Sequence, residues 1–88
     1  MKYIDWDPEK NKKLIKERGV SFEVCLAYIE QGNILDIVIN KTPYEHQFVY
    51  VLEIDNYVYY VPFVEDEKKI FLKTIIPSRK ATKKYLSL

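Results

Sequence analysis

The sequence predicts an α+β domain in which an N-terminal helical hairpin packs on a four-stranded antiparallel sheet, followed by a short basic helix. Two observations lead to this fold class. Apolar residues recur at helical spacing up to residue 31, and from residue 34 they alternate with period two between short turns. The 88 residues provide enough core for one domain, residues 1–88, and too little for two.

The first predicted helix follows Asp7, a good N-cap, and has Pro8 at its first position. It should run from Pro8 to about Arg18 and stop at Gly19. Residues 2–6 alternate in polarity, which leaves room for a short extra strand before it.

The second predicted helix begins after the N-cap Ser21 and ends at Gln31-Gly32-Asn33. Its buried face repeats at i, i+3, i+4 and i+7 and consists of Phe22, Cys25, Leu26 and Ile29. Together the two helices form a hairpin with a very short connection.

Four strands are predicted after the hairpin: Ile34–Ile39, His46–Ile54, Tyr57–Glu65 and Lys69–Ile76. Asp55 and Asn56 tolerate positive φ and predict a two-residue hairpin turn, which sets Leu52 opposite Tyr59. Pro77 stops the last strand, and Ser78 starts a short helix.

The hairpin register predicts two faces of the sheet. One is apolar and should carry the two helices: Phe48, Tyr50, Leu52, Tyr59, Val61, Phe63, Ile70, Leu72 and Ile76. The other mixes apolar residues with a lysine and carries Val49, Val51, Glu53, Val58, Tyr60, Pro62, Phe71, Lys73 and Ile75. Two interpretations stay open for this second face: a binding surface, or a surface that the C-terminal helix covers.

Charge is strongly segregated along the chain. Residues 68–88 contain seven Lys or Arg and no Asp or Glu, whereas residues 19–67 contain nine acids and only Lys41 as a base. A formal net charge of +1 therefore conceals a basic end, and charge separated in this way usually concerns a partner rather than the fold.

Several functional classes are disfavoured by composition. A single cysteine, Cys25, excludes an internal disulfide and a multi-cysteine metal cluster, and a single histidine, His46, excludes a two-histidine metal set. No cofactor or metal is expected. No apolar run reaches the length of a membrane span, and the charged N-terminus lacks the apolar region of a signal peptide, so we expect no membrane contact and a cytoplasmic protein.

The basic end suits RNA chemistry. RNA carries its own nucleophile, the 2′-OH, so cleavage needs positioning, proton transfer and positive charge over the phosphorane. Arg79 and Lys80 open the predicted helix, where a phosphate also meets free backbone N–H groups. Lys73 shares a strand face with Phe71, and a tight turn would place it across from Tyr60, an arrangement that suits a stacked base and its phosphate.

Two motifs resemble the BrnT family of type II toxins, small ribonucleases with a RelE-like fold. The stretch WDPEKNKKLIKERGVSF, residues 6–22, resembles the family signature W-D-P-x-K…N…K-H-G-V-S-F-E, and IIPSRKATKKY, residues 75–85, is similar to its I-S-A-R-R-A-T segment. Arg79 matches the second motif and Lys80 matches it in charge only. Arg18 stands where the family has a histidine, and Pro77-Ser78 replaces its Ser-Ala pair.

The resemblance implies a toxin that cleaves mRNA, free or on the ribosome, and blocks translation. A cognate antitoxin protein would neutralise it and would also provide the contact to operator DNA. The candidate catalytic residues are Arg79, Lys73 and His46, with Lys80, Lys83, Lys84, Tyr60 and Phe71 as RNA-binding residues. The alternative is a non-catalytic module of the same fold that binds RNA or a protein.

Overall fold

A computed structural model of the protein describes residues 2–87, which form three helices and one mostly antiparallel six-stranded sheet. The helices are α1 (Pro8–Arg18), α2 (Phe22–Glu30) and α3 (Arg79–Leu86). The strands are β1 (Tyr3–Trp6), β2 (Asp36–Ile39), β3 (Phe48–Ile54), β4 (Tyr57–Glu65), β5 (Lys69–Leu72) and β6 (Ile76–Pro77). The predicted α+β class is confirmed at this level.

The sheet has the order β1-β5-β4-β3-β2, and β6 also pairs with β4. The optional N-terminal strand is therefore present, and it lies parallel to β5. The prediction of four antiparallel strands missed this pair because no short turn connects β1 to β5. Turn sequences reveal only neighbours that are adjacent along the chain.

The central hairpin agrees with the predicted register. Asp55 and Asn56 have φ values of 54° and 64°, and Leu52 pairs with Tyr59. Two-residue turns with positive φ at both positions match the right-handed twist of the strands. The first predicted strand is shorter than expected, since residues 34 and 35 lie outside β2.

The main core lies between α1, α2 and one face of the sheet. It contains Leu14, Val20, Phe22, Cys25, Tyr50, Leu52, Ile54, Val61, Phe63, Leu72 and Ile75. Burial raises the pKa of the Cys25 thiol to about 12, so this side chain behaves as an apolar residue.

The residues of the first motif build the helical hairpin. The Asp7 side chain accepts from the Glu9 N–H, and Gly19 ends α1 with φ 67°. Trp6 stacks on Phe22 with ring centroids 5.6 Å apart. Asn11, which is buried, accepts from the Phe22 N–H (2.8 Å) and donates to Glu23 Oε1 (2.7 Å), so it joins the two helices.

The last predicted strand, Lys69–Ile76, is broken by a bulge. Leu72 pairs with Phe63, whereas Ile76 pairs with Tyr60, and the two pairings differ in register by one residue. One extra residue between them turns the chain over, so the predicted faces of the two isoleucines are exchanged. Ile75 is fully buried under the helices, and Ile76 is 40% exposed on the opposite face.

The second face of the sheet is covered in part by helix α3, as one of the two interpretations expected, while binding by the rest of the face stays a prediction. Helix α3 folds back over part of it, where Ala81 packs with Val51 and Val58. The remainder forms an open groove of about 560 Å³.

Candidate functional site

Helix α3 is fixed to the start of β4 by two hydrogen bonds at Val58, and a third bond within the first turn of the helix orients the side chain of Thr82. The Val58 N–H donates to Thr82 Oγ1 (2.9 Å), the Thr82 hydroxyl donates to Ser78 O (2.7 Å), and the Ser78 N–H donates to Val58 O (2.9 Å). The Ser78 side chain also accepts from the Ala81 N–H as the N-cap. These contacts fix which face of α3 is turned to solvent.

The outward face of α3 carries four cations: Arg79, Lys80, Lys83 and Lys84. At roughly 100° per residue they lie within an arc of about 140°, whereas Ala81 and Thr82 point to the sheet. Within residues 2–87 the ion pairs join Lys2 to Glu65, Lys12 to Glu9, and Lys69 to Asp5. None of them includes a cation of α3, so the positive charge of this face is uncompensated.

The groove beside α3 has an apolar floor and cationic sides. Its floor includes Val38, Val49, Pro62 and Ile76, its aromatic residues are Tyr44 and Tyr60, and its cations are Lys41 and Lys73. No acidic residue is among the described residues that line it. Because Val38 and Tyr60 also pack against the cluster under α3, the groove and the helix are adjacent.

Lys73 lies in this groove, but not in the predicted register. Its N–H donates to Pro62 O (2.8 Å), and Tyr60 pairs with Ile76, so the expectation that Lys73 lies across from Tyr60 is wrong. The turn between β4 and β5 is longer than a two-residue turn and shifts the pairing. Lys73 does share a face with Phe71, since its Nζ lies 5.5 Å from the centre of that ring.

His46 is not at the start of a strand, as predicted, but in the exposed turn before β3. The lining of the groove includes neither His46 nor Arg79, which is exposed in the first turn of α3. The structure therefore brings Lys73, Tyr60 and Phe71 to one face, places the four α3 cations beside them, and leaves His46 in the loop that follows β2.

Three residues near the site had no role in the sequence prediction. Arg18 donates to the carbonyl oxygen of Ile75 and thereby secures the bulge from α1. Thr82 fixes α3, as described above. The Tyr85 hydroxyl donates to Asp36 Oδ2 (3.0 Å), and burial followed by this hydrogen bond raises the pKa of Tyr85. In the sequence, the i, i+4, i+7 spacing of Ser78, Thr82 and Tyr85 could have indicated that these residues share the face of α3 that contacts the sheet.

Two further kinds of feature are absent from the described residues. No group of three or more His, Cys, Asp or Glu side chains between residues 2 and 87 is arranged to hold a metal ion. Over the same residues, no helix is long and apolar enough to cross a membrane.

Comparison with known proteins gives one family. The sequence profile of the ribonuclease toxin BrnT of type II toxin–antitoxin systems matches residues 6–84, which is most of the chain. Comparisons with curated proteins and with solved structures gave no match.

Proposed function

This chain belongs to the BrnT family of ribonuclease toxins of type II toxin–antitoxin systems, and we propose that it cleaves mRNA without a metal ion and so blocks translation. In this proposal the chain acts as one RelE-like domain in the cytoplasm, on mRNA that is free or bound to the ribosome. A cognate antitoxin neutralises it and provides the contact to operator DNA.

The observation that carries the proposal is the uncompensated cationic face of α3 beside a groove that holds Lys73 and two tyrosines. Single-stranded RNA is bound by cations that follow its backbone and by aromatic rings on which bases stack. Lys80, Lys83 and Lys84 would bind backbone phosphates, and Tyr60 and Phe71 would stack bases.

The proposed reaction is an internal transphosphorylation. The 2′-oxygen attacks the adjacent phosphorus while the bond from phosphorus to the 5′-oxygen breaks, which gives a 2′,3′-cyclic phosphate and a free 5′-OH. One group takes the proton of the 2′-OH and another gives a proton to the leaving oxygen. Arg79 and Lys73 would stabilise the charge on the phosphorane, and His46 or a tyrosine such as Tyr60 would transfer protons.

The first experiment measures growth and total RNA after induced expression of the wild type, Arg79→Ala and Lys13→Ala. Lys13 is an exposed cation on α1, so its loss controls for charge alone. We expect growth arrest and RNA loss with the wild type and Lys13→Ala, and neither with Arg79→Ala. Cleavage of a defined RNA by purified protein should continue in EDTA, and its loss there would contradict the metal-independent mechanism.

One observation favours the non-catalytic alternative: His46 lies outside the groove, so no histidine is in place there for proton transfer. If soluble wild-type protein leaves RNA intact but binds it, the binding module is the better account. Loss of cleavage with retained binding in His46→Ala would instead support a catalytic role for that residue.

A further inference from the structure

Strand β2 ends the sheet with an apolar side that nothing in residues 2–87 covers. Its only neighbour is β3. Leu35, Ile37 and Ile39 are 41%, 50% and 64% exposed, and the adjacent Phe48 on β3 is 41% exposed. Ile37 pairs with the core residue Tyr50 and Ile39 pairs with Phe48, so Ile37, Ile39 and Phe48, the apolar strip, lie on the helix side of the sheet beyond the reach of α1 and α2.

The backbone of β2 is also open. The Asn40 N–H donates to Gln47 O (2.9 Å), and residues that bond to the neighbouring strand alternate in an antiparallel pair. Asp36, Val38 and Asn40 therefore bond toward β3, and the backbone groups of Ile37 and Ile39 point to the open edge. There the Ile37 N–H donates to Asp36 Oδ1 (2.8 Å), which leaves the C=O of Ile37 and both backbone groups of Ile39 toward solvent. Proteins usually protect such an edge with charges, proline or a covering segment, and here one aspartate stands among exposed isoleucines.

The opposite face of the same edge carries cations, with Asp36 as an acid at one end of the strand. The Tyr85 hydroxyl bonds Asp36, so the end of α3 lies over β2, and Lys84 Nζ lies 5.3 Å from the centre of the Tyr85 ring. Lys41 follows the strand directly. At the other end of β2, Glu53 and Asp55 line a separate cavity beside Leu35, so acidic groups of a partner belong at the Ile39 end.

These charges disfavour a second copy as the occupant. Two β2 strands paired antiparallel would place both α3 helices on one face with their ends close to each other. Each helix carries four uncompensated cations, and this repulsion opposes the pairing. A partner strand whose acidic side chains lie at the Ile39 end, away from Asp36, meets no such repulsion.

We propose that the cognate antitoxin binds here by adding an extended segment to β2 as a further strand of the sheet. Its alternate residues would be apolar, over the apolar strip, and acidic at the Ile39 end, facing Lys41. Main-chain hydrogen bonds supply affinity in this mode, and the alternating side chains supply specificity. The inference rests on the proposed function only in that the chain is the toxin of a toxin–antitoxin pair.

The test compares Ile37→Lys and Phe48→Lys, two variants of the apolar strip, with Ile15→Lys, which adds the same charge at a half-exposed isoleucine on α1. Ile39 is left unchanged because it also lines the groove assigned to RNA. Each toxin is induced alone and together with its affinity-tagged cognate antitoxin, and copurification of the pair is measured. We expect both strip variants to arrest growth alone, to escape neutralisation, and to bind the antitoxin roughly tenfold more weakly or worse. Ile15→Lys should be neutralised like the wild type.

Full neutralisation and copurification of both strip variants would overturn the proposal. So would a wild-type toxin that is dimeric alone and becomes monomeric in Ile37→Lys, since the edge would then be occupied by a second copy. If the wild type fails to arrest growth, the proposed ribonuclease function is what fails. Copurification still tests the interface, because it does not depend on RNA cleavage.

Discussion

Asn11 shows how a single polar residue determines the shape of the first motif. Its side chain is buried, accepts from the Phe22 N–H and donates to Glu23, so the angle between α1 and α2 depends on it. The hydrogen bond from Asn11 is the largest cause that lowers the pKa of Glu23 below its ordinary value of 4.5. The Asn11–Glu23 hydrogen bond therefore contributes both to the stability of the helical hairpin and to the response of Glu23 to acid.

We expect Asn11→Ala to lower the free energy of unfolding by about 1–3 kcal/mol, because the buried Phe22 N–H loses its acceptor. Urea unfolding followed by the fluorescence of Trp6, the single tryptophan, measures this. Lys13→Ala, on the exposed side of the same helix, should have little effect.

The same pair of variants gives a pH dependence. Since the folded pKa of Glu23 is lowered, its contribution is complete above pH 4.5 and is lost as the pH falls through the folded pKa. The stability difference between wild type and Asn11→Ala should thus be larger at pH 7 than at pH 3. An equal difference at both values would contradict the role assigned to the Asn11–Glu23 bond.

At the scale of single residues, the sequence predicted the helix caps and missed the long-range hydrogen bond of Asn11. The caps Asp7, Ser21 and Ser78 and the stop at Gly19 follow from local backbone chemistry, which a sequence displays directly. The role of Asn11 depends on a backbone group eleven residues away, and no local rule identifies such a partner.

At the scale of elements, the second motif divides into two halves. Ala81 and Thr82 attach α3 to the sheet, and Arg79 with the three lysines faces solvent. The bulge before the helix could not be predicted, since Lys73-Thr74-Ile75 contains neither glycine nor proline. Two adjacent isoleucines, Ile75 and Ile76, also leave the choice of face open.

We expect Thr82→Val to loosen α3, because the Val58 N–H loses its acceptor and Ser78 O loses a donor. The amide of Val58 should exchange hydrogen faster, and RNA cleavage should fall with it. Thr82→Ser keeps the hydroxyl and should restore both. Unchanged exchange in Thr82→Val would show that α3 is fixed by its apolar contacts alone.

At the scale of the whole molecule, the segregation of charge along the sequence becomes a segregation in space. The α3 cations meet no acid within residues 2–87, although the chain contains 13 acidic residues. Composition predicted the basic end of the chain. The parallel β1–β5 pair and the open edge of β2 could be recognised only once the fold was known. Which side chain transfers protons, His46 or a tyrosine such as Tyr60, stays a prediction.

This charge predicts a salt dependence of RNA binding. Each of Lys80→Ala, Lys83→Ala and Lys84→Ala should lower the slope of log K against log salt by about 0.7, as expected when one phosphate contact to a single strand is lost. Fluorescence anisotropy with a labelled single-stranded RNA measures the slope. An equal decrease in Lys13→Ala would mean that net charge, and not the α3 face, sets the affinity.

In α3, the residues that attach the helix to the sheet differ from those that face solvent, and this has a consequence for which mutations the gene can accumulate. Because the side chains that hold the helix in place differ from those that face outward, a substitution such as Arg79→Ala can remove the harm to the cell while the protein still folds. Cells that survive unopposed expression should therefore often carry an intact reading frame, with changes concentrated on the outer surface of this helix. Such inactive copies would keep the first family motif, residues 6–22, and they could still sequester the antitoxin.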